Sequence, residues 1–214
     1  MLRISQLVFL FVFALYQVDS DSPQKILITV YYESQCPDSK NFIVEQLHPT
    51  IKLLHEHLML KLVPFGKARS IKHKHNNGFQ CQHGPTECAG NLVQSCALDI
   101  MQGRNDVEKV SYVACEMVTE AGTRGDMECV MRAGLPVDEV EECVNSERGK
   151  LLQLEQAYLT KHVRPKFIPT ITIGGVFDQQ VQDLALADFT GTLCSILINI
   201  PLCQEHFNSR AMNY

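Results

Sequence analysis

Three things are missing from this 214-residue sequence, and each absence excludes something. No Asn-x-Ser/Thr acceptor occurs, so sorting through an N-linked glycan is closed to the chain. There is no excess of positive charge: the formal net charge is −5, which argues against nucleic acid or an anionic membrane as the main partner, since both select a basic face. Beyond the first twenty residues, no apolar run is long enough to span a bilayer. The nearest, Leu193 to Leu202, is interrupted by Cys194, Ser195, Asn199 and Pro201. With 45% hydrophobic and 20% charged residues, and no repeat or low-complexity tract, the composition is that of one globular domain with room for an insertion.

What the sequence has in excess is cysteine, nine in all. Such a count fits an oxidising compartment, and because nine is odd, at least one thiol cannot pair within the chain. The N-terminus supports that compartment. Arg3 gives a positive start, Leu7 to Leu15 is an apolar run, and Val18 and Ser20 are the small residues a signal peptidase accepts. A membrane anchor is the alternative, but the run falls short of the roughly 20 residues needed to span. Residues 1–20 are expected to be a signal peptide, with the mature chain beginning at Asp21 and residing in a lumen or outside the cell.

Lys25 to Tyr32 is β-branched and aromatic and reads as a buried strand. From Asp38 to about His57, Phe42, Ile43, Leu47, Ile51, Leu54 and Leu58 fall near helical spacing, with Pro49 expected to kink the helix. Leu58 to Phe65 is a second strand, and the strand–helix–strand order favours a parallel pair. Residues from Gly66 to about Pro136 read as polar, cysteine-bearing and mostly helical. They open with the basic run Arg69 to His75, expected to be a solvated loop rather than a site for an acidic partner. Val137 to His162 reads as one long helix with Val140, Cys143, Leu151, Leu154 and Tyr158 on its apolar side. Ile171 to Ile173 is a strand ended by Gly174-Gly175, Val176-Phe177 is a candidate for the next, and a helix from about Leu184 to Ile198 closes the chain.

Chemistry concentrates at Cys36, just past a strand and before the Pro37 that opens a helix. There the backbone N–H groups and the helix dipole stabilise a thiolate, the nucleophile of disulfide exchange. The following residues are Pro37-Asp38-Ser39. Ser39 places a hydroxyl where a two-thiol enzyme carries its resolving sulfur; it can hydrogen-bond a thiolate but cannot form a disulfide with it. Asp38 is a favourable first-turn anion whose charge near sulfur opposes thiolate formation. Far along the chain, Pro169 precedes a strand. It is either an ordinary trans proline or a cis proline set beside the nucleophile, and the strand–cysteine–helix unit upstream favours cis. Cys81, His83, Cys88 and Cys96 lack the spacings of a structural zinc site, and disulfides are the better reading.

The segment Cys81-Gln82-His83-Gly84, two residues, Glu87-Cys88, two residues, Asn91, four residues, Cys96 resembles the signature of the gamma-interferon-inducible lysosomal thiol reductase family, with all its fixed positions present. Val63 to Ala68 and Cys143-x-x-Ser146-x-x-Gly149 reinforce the likeness, which covers essentially the whole mature chain. The resemblance implies an α/β, thioredoxin-like fold over residues 21–214, its core at 25–66 and 167–200, with a helical, disulfide-bearing insertion at about 67–166 before the cis-proline strand. It also implies reduction of protein disulfides in an endosomal or lysosomal lumen, and in invertebrates a link to antibacterial immunity. Carried over residue by residue, Cys36 is the nucleophile and Pro169 faces the substrate. Ser39 departs from the family's Cys-x-x-Cys. That leaves a monothiol catalyst resolved by a low-molecular-weight thiol, a trap or isomerase, or a binding protein without turnover. The expected partners are disulfide-containing proteins and a small thiol, with no cofactor, metal, nucleic acid or membrane. The eight other cysteines suffice for four disulfides, and a local bridge between Cys194 and Cys203 is the preferred pairing.

Overall fold

The computed structural model describes residues 25–73 and 76–211. The expected signal peptide lies outside the described residues.

Strand β1 (Ile26–Tyr32) is the middle of a three-stranded sheet. It pairs in parallel with β2 (Leu58–Pro64), Ile28 opposite Leu60, and antiparallel with β5 (Thr170–Ile173), Val30 opposite Ile171. Ile28, Val30 and Tyr32 on one face, and Thr29 and Tyr31 on the other, are all buried. A strand covered on both faces reads as a continuous apolar run rather than an alternating one, as this one does.

Between β1 and β2 the chain is largely helical: α1 (Pro37–Asn41), a π-helical segment (Phe42–Leu47), α2 (His48–Leu54) and a closing 3-10 turn (His55–His57). The distortion falls just before the expected kink. Pro49 has no N–H to offer the carbonyl four residues back, and the helix widens so that the His48 N–H bonds Ile43 O instead. Ile43, Leu47, Ile51 and Leu54 keep one fully buried face, and Phe42 meets the ring of Phe189 edge-on at 5.3 Å.

After β2 comes a ribbon of β3 (Arg69–His73) and β4 (Asn76–Gln80), in place of the solvated loop expected for the basic run. Its pattern of single apolar residues among charges carries little strand signal. What fixes it is an edge-on contact of Phe79 with Phe65, 5.5 Å between ring centres, and the Cys81–Cys88 disulfide that follows. Helices α3 (Pro85–Ile100), α4 (Asp106–Thr119), α5 (Glu128–Arg132), α6 (Val137–Val144) and α7 (Glu147–Val163) come next.

The single helix expected over 137–162 is thus two. Asn145 and Ser146 interrupt it, the Ser146 hydroxyl turning back to donate to Cys143 O. The rotation across that break also moves the apolar stripe. Leu151, Leu154 and Tyr158 are exposed, and α7 buries Gly149, Gln153 and Thr160. Gln153 is satisfied inside by donating to Ser95 Oγ at 2.7 Å and Asn91 O at 3.1 Å.

Past β5, Val176 forms one isolated bridge to Ile173 across the glycine pair rather than a strand. The closing helix is divided as well, into α8 (Gln179–Ala187) and α9 (Phe189–Ile196), because Asp188 leaves the helix to accept the Gly191 N–H at 2.9 Å and cap α9. A further helix, α10 (Pro201–Ala211), follows. None of the described helices is long and apolar enough to cross a membrane.

Eight cysteines form four disulfides: Cys81–Cys88, Cys96–Cys143, Cys115–Cys129 and Cys194–Cys203, the last as expected. Cys36 is the free thiol. Closing a 47-residue separation constrains the unfolded chain more than closing 9, by about 4 against about 2.6 kcal/mol in the chain-entropy account. Replacing both Cys96 and Cys143 by Ala is therefore expected to lower the urea midpoint further than the same change at Cys194 and Cys203. The reverse order would show that local strain outweighs loop closure.

Glu116 in α4 is buried, and burial raises its carboxyl pKa above the usual range against the opposing pull of the Gly122 N–H, 2.8 Å from Oε2. A raised carboxyl binds its proton more tightly in the folded state. Its contribution to stability is complete below the unfolded value of about 4.3 and is lost as pH rises through the folded value. Glu33 shifts in the same direction for the same first cause. Melting temperatures between about pH 4 and pH 7 should show Glu116→Gln, which stays neutral, gaining on the parent as pH rises. Parallel profiles would refute the assignment.

Candidate active site

β1 delivers the chain into a turn, Glu33-Ser34-Gln35, whose first two residues are buried and which ends at Cys36. Burial of this backbone requires partners, and the partners come from α3. Asn91 Oδ1 accepts the Ser34 N–H at 2.9 Å, and the Ser34 hydroxyl donates to Glu87 O at 2.9 Å. Thr86 Oγ1 donates to Gln35 Oε1 at 2.9 Å. The approach is close: a Cβ on Gly90 would lie 2.6 Å from both Ser34 Oγ and Thr123 Oγ1.

Cys36 itself is the N-cap of α1, extended at φ −74° and ψ 121°, with Pro37 behind it. Its N–H returns to Glu33 O at 3.3 Å and its carbonyl accepts the first helical bond, from Lys40 at 3.0 Å. The Sγ lies 3.7 Å from Ile168 O, to which the thiol donates. Ile168–Pro169 is a cis peptide. The two segments singled out in the sequence, 132 residues apart, thus meet.

Ser39 sits one turn into the helix and is wholly buried, its Oγ accepting the Glu33 N–H at 3.4 Å. Both are buried, Cys36 7% exposed against 0% for Ser39, so of the two residues only Cys36 meets solvent. Asp38 and Ile168, which neighbour Cys36 in the chain and through its thiol bond, line a 430 Å³ groove together with Phe42, Glu45, Phe167 and Pro169.

Gln182 of α8 orients the opposite wall. Its amide nitrogen donates to Pro169 O at 3.1 Å while its Oε1 accepts the Ile171 N–H at 2.8 Å, so β5 gives that N–H to a side chain rather than to a further strand. Neither Gln182 nor the Glu33 turn stood out in the sequence. Asn91 did, as one fixed position of the signature, but spacing alone did not indicate that it holds Ser34.

The sequence profile of the family described as "Gamma interferon inducible lysosomal thiol reductase (GILT)" matches residues 27–146, more than half of the chain. This chain belongs to the GILT family. A gamma-interferon-inducible lysosomal thiol reductase-like protein of Anopheles gambiae is 32% identical over 208 residues, covering 90% of this chain and 86% of the relative. GILT-like protein 1 of Drosophila melanogaster is 31% identical over 210 residues, covering 86% and 81%. Among solved structures, MdbA, a thiol-disulfide oxidoreductase from Actinomyces oris, superposes with a TM-score of 0.55 over 86% of this chain and 83% of that one, at 12% identity. The fold is therefore thioredoxin-like, and the family is one of thiol–disulfide oxidoreductases.

For this GILT chain, Asn91→Ala would strand the buried Ser34 N–H. A destabilisation of about 1–3 kcal/mol is expected, together with faster alkylation of Cys36 as its turn loosens. An unchanged alkylation rate in a folded but weakened variant would mean that Asn91 supports the fold without positioning the thiol.

Proposed function

We propose that this protein is a lumenal or secreted disulfide reductase that works with a single thiol, Cys36. The observation that carries the reading is that Cys36 is the free cysteine, held at a helix start beside the cis Ile168–Pro169 peptide, while the other eight are paired. The Cys36 thiolate attacks a substrate disulfide, forming a mixed disulfide and releasing one substrate thiolate, which takes up a proton. With Ser39 at the resolving position, a small thiol such as cysteine or glutathione attacks the Cys36 sulfur and frees the second substrate thiol. A second small thiol then attacks the small-molecule sulfur of that adduct, leaving as the oxidised dimer and regenerating Cys36. Two thiols are oxidised for each disulfide reduced.

The groove supports the substrate class. Backbone at Ile168 and the rings of Phe42 and Phe167 suit an extended peptide more than a small molecule. An endosomal, lysosomal or extracellular lumen is the setting, in which the family resemblance places antibacterial defence.

Insulin reduction tests this directly. Turnover is expected only when a low-molecular-weight thiol is supplied, and none from Cys36→Ser under any condition. Ser39→Cys is expected to bond its new sulfur to that of Cys36 as a disulfide and to change the dependence on added thiol. Absence of turnover by the parent protein with the small thiol present would leave a binding protein without catalysis.

A further inference from the structure

The signature segment brings two buried carboxylates and an imidazole to one point. Glu33, at the end of β1, and Glu87, in the first turn of α3, are both fully buried, and His83 lies over them with its side chain 35% exposed. His83 Nδ1 is 3.5 Å from Glu33 Oε2 and 2.5 Å from Glu87 Oε2. One donor atom from each of the three falls within 4.8 Å of the others.

The two carboxylates are oriented alike. Each has one oxygen fixed by a backbone N–H, Glu33 Oε1 by Lys67 at 2.6 Å and Glu87 Oε1 by His83 at 3.1 Å, which turns the other oxygen toward the imidazole. Glu33 Oε2 has no hydrogen-bond partner although it is buried. Gly66, at φ +55°, leaves the space that carboxylate occupies; a Cβ there would lie 2.2 Å from Glu33 Cγ.

Among the described residues, neither Glu33 nor Glu87 is ion-paired with a lysine or arginine, and the side chain that faces both carboxyls is His83. A divalent cation would displace the protons of the site and balance both carboxylates.

We propose that Glu33, His83 and Glu87 bind one divalent transition-metal ion of the zinc class. An imidazole and two carboxylates, their remaining oxygens held by backbone N–H groups, form a donor set suited to such an ion, with the exposed side of His83 as the way in. At metal–ligand distances of about 2.0–2.2 Å, the donors would stand about 3.4 Å apart. The Glu33–His83 pair, at 3.5 Å, fits that spacing; the Glu87–His83 pair, at 2.5 Å, would have to open, and the two carboxylates lie within 4.8 Å of each other. The ion would join the end of β1, three residues before Cys36, to the loop closed by Cys81–Cys88. The cysteines of the signature take no part, because their sulfurs are in disulfides. The site does not depend on the thiol chemistry proposed for Cys36.

Equilibrium dialysis of the full mature protein against Zn²⁺, and cobalt spectra of the same protein, decide the matter. One ion per chain is expected, retained in Cys36→Ala and weakened at least about tenfold in His83→Ala, in Glu33→Gln and in Glu87→Gln. Circular dichroism identifies any variant that has lost its fold; Glu33→Gln and Glu87→Gln keep the size and the backbone-facing acceptor, so they carry the test if His83→Ala unfolds. Cobalt should give visible d–d bands without thiolate-to-metal charge transfer. No binding by the parent protein, undiminished binding in folded Glu33→Gln and Glu87→Gln, or an ion that follows Cys36 with a thiolate spectrum would each overturn the proposal. The first of these would leave His83 as a side chain that contacts both acids without a metal.

Discussion

The structure depends on how the turn after β1 is held, with Glu33 and Ser34 buried and Gln35 partly exposed. Glu33, Ser34 and Gln35 leave the sheet with no further strand to bond to, and an unpaired N–H or C=O in that position costs about as much as a lost hydrogen bond. The N-terminal half of α3 provides what is missing: the Asn91 carboxamide for the Ser34 N–H, and the Glu87 carbonyl for the Ser34 hydroxyl. Ser39 takes the Glu33 N–H from the other side. Cys36 is placed by this turn, and so is the start of the helix that follows it. A short sheet with three strands can therefore present a thiol in one orientation, because a helix from the middle of the chain completes its loop.

That dependence explains where the disulfides lie. Cys81–Cys88 closes the loop that leads into α3, and Cys96–Cys143 fastens the same helix to α6. The helix that completes the Cys36 turn is thus crosslinked at its first turn and again near its C-terminal end. Gln153 of α7 adds a third connection, through Asn91 O and Ser95 Oγ. In a lumen where the bonds persist, the covalent links act on the element whose displacement would expose the Glu33–Gln35 backbone to water.

The sheet and the free thiol at the helix start were legible because they rest on short-range patterns. Lys25 to Tyr32 is apolar, β-branched and bounded by turn residues, and Cys36-Pro37 follows it closely. The helix breaks at Asn145-Ser146 and Asp188 were not legible from apolar spacing. Leu151, Leu154 and Leu186 continue a helical stripe in the sequence, and only the side-chain bonds of Ser146 and Asp188 to nearby backbone show that the helix has restarted on a new face. The basic ribbon was hidden for the opposite reason, since its strands depend on one aromatic contact, Phe65 with Phe79, rather than on a buried face. The Glu33–His83–Glu87 group joins residues from both sides of the β1–α3 contact. Periodicity cannot find such a group, and the signature spacing gives only two of its three members.

Ser39 belongs to the scaffolding of the turn as much as to the thiol site, because its hydroxyl is buried and already occupied with the Glu33 N–H. A serine there keeps the backbone satisfied while removing the sulfur that would otherwise close on Cys36. The fold can therefore retain a well-positioned thiol without a partner at little structural cost. In the monothiol cycle proposed above, the electrons that resolve a mixed disulfide come from outside, because every other sulfur of the chain's cysteines is committed to a disulfide. In that proposed cycle the reducing power of the compartment, rather than any residue of the protein, sets how long Cys36 stays joined to its substrate.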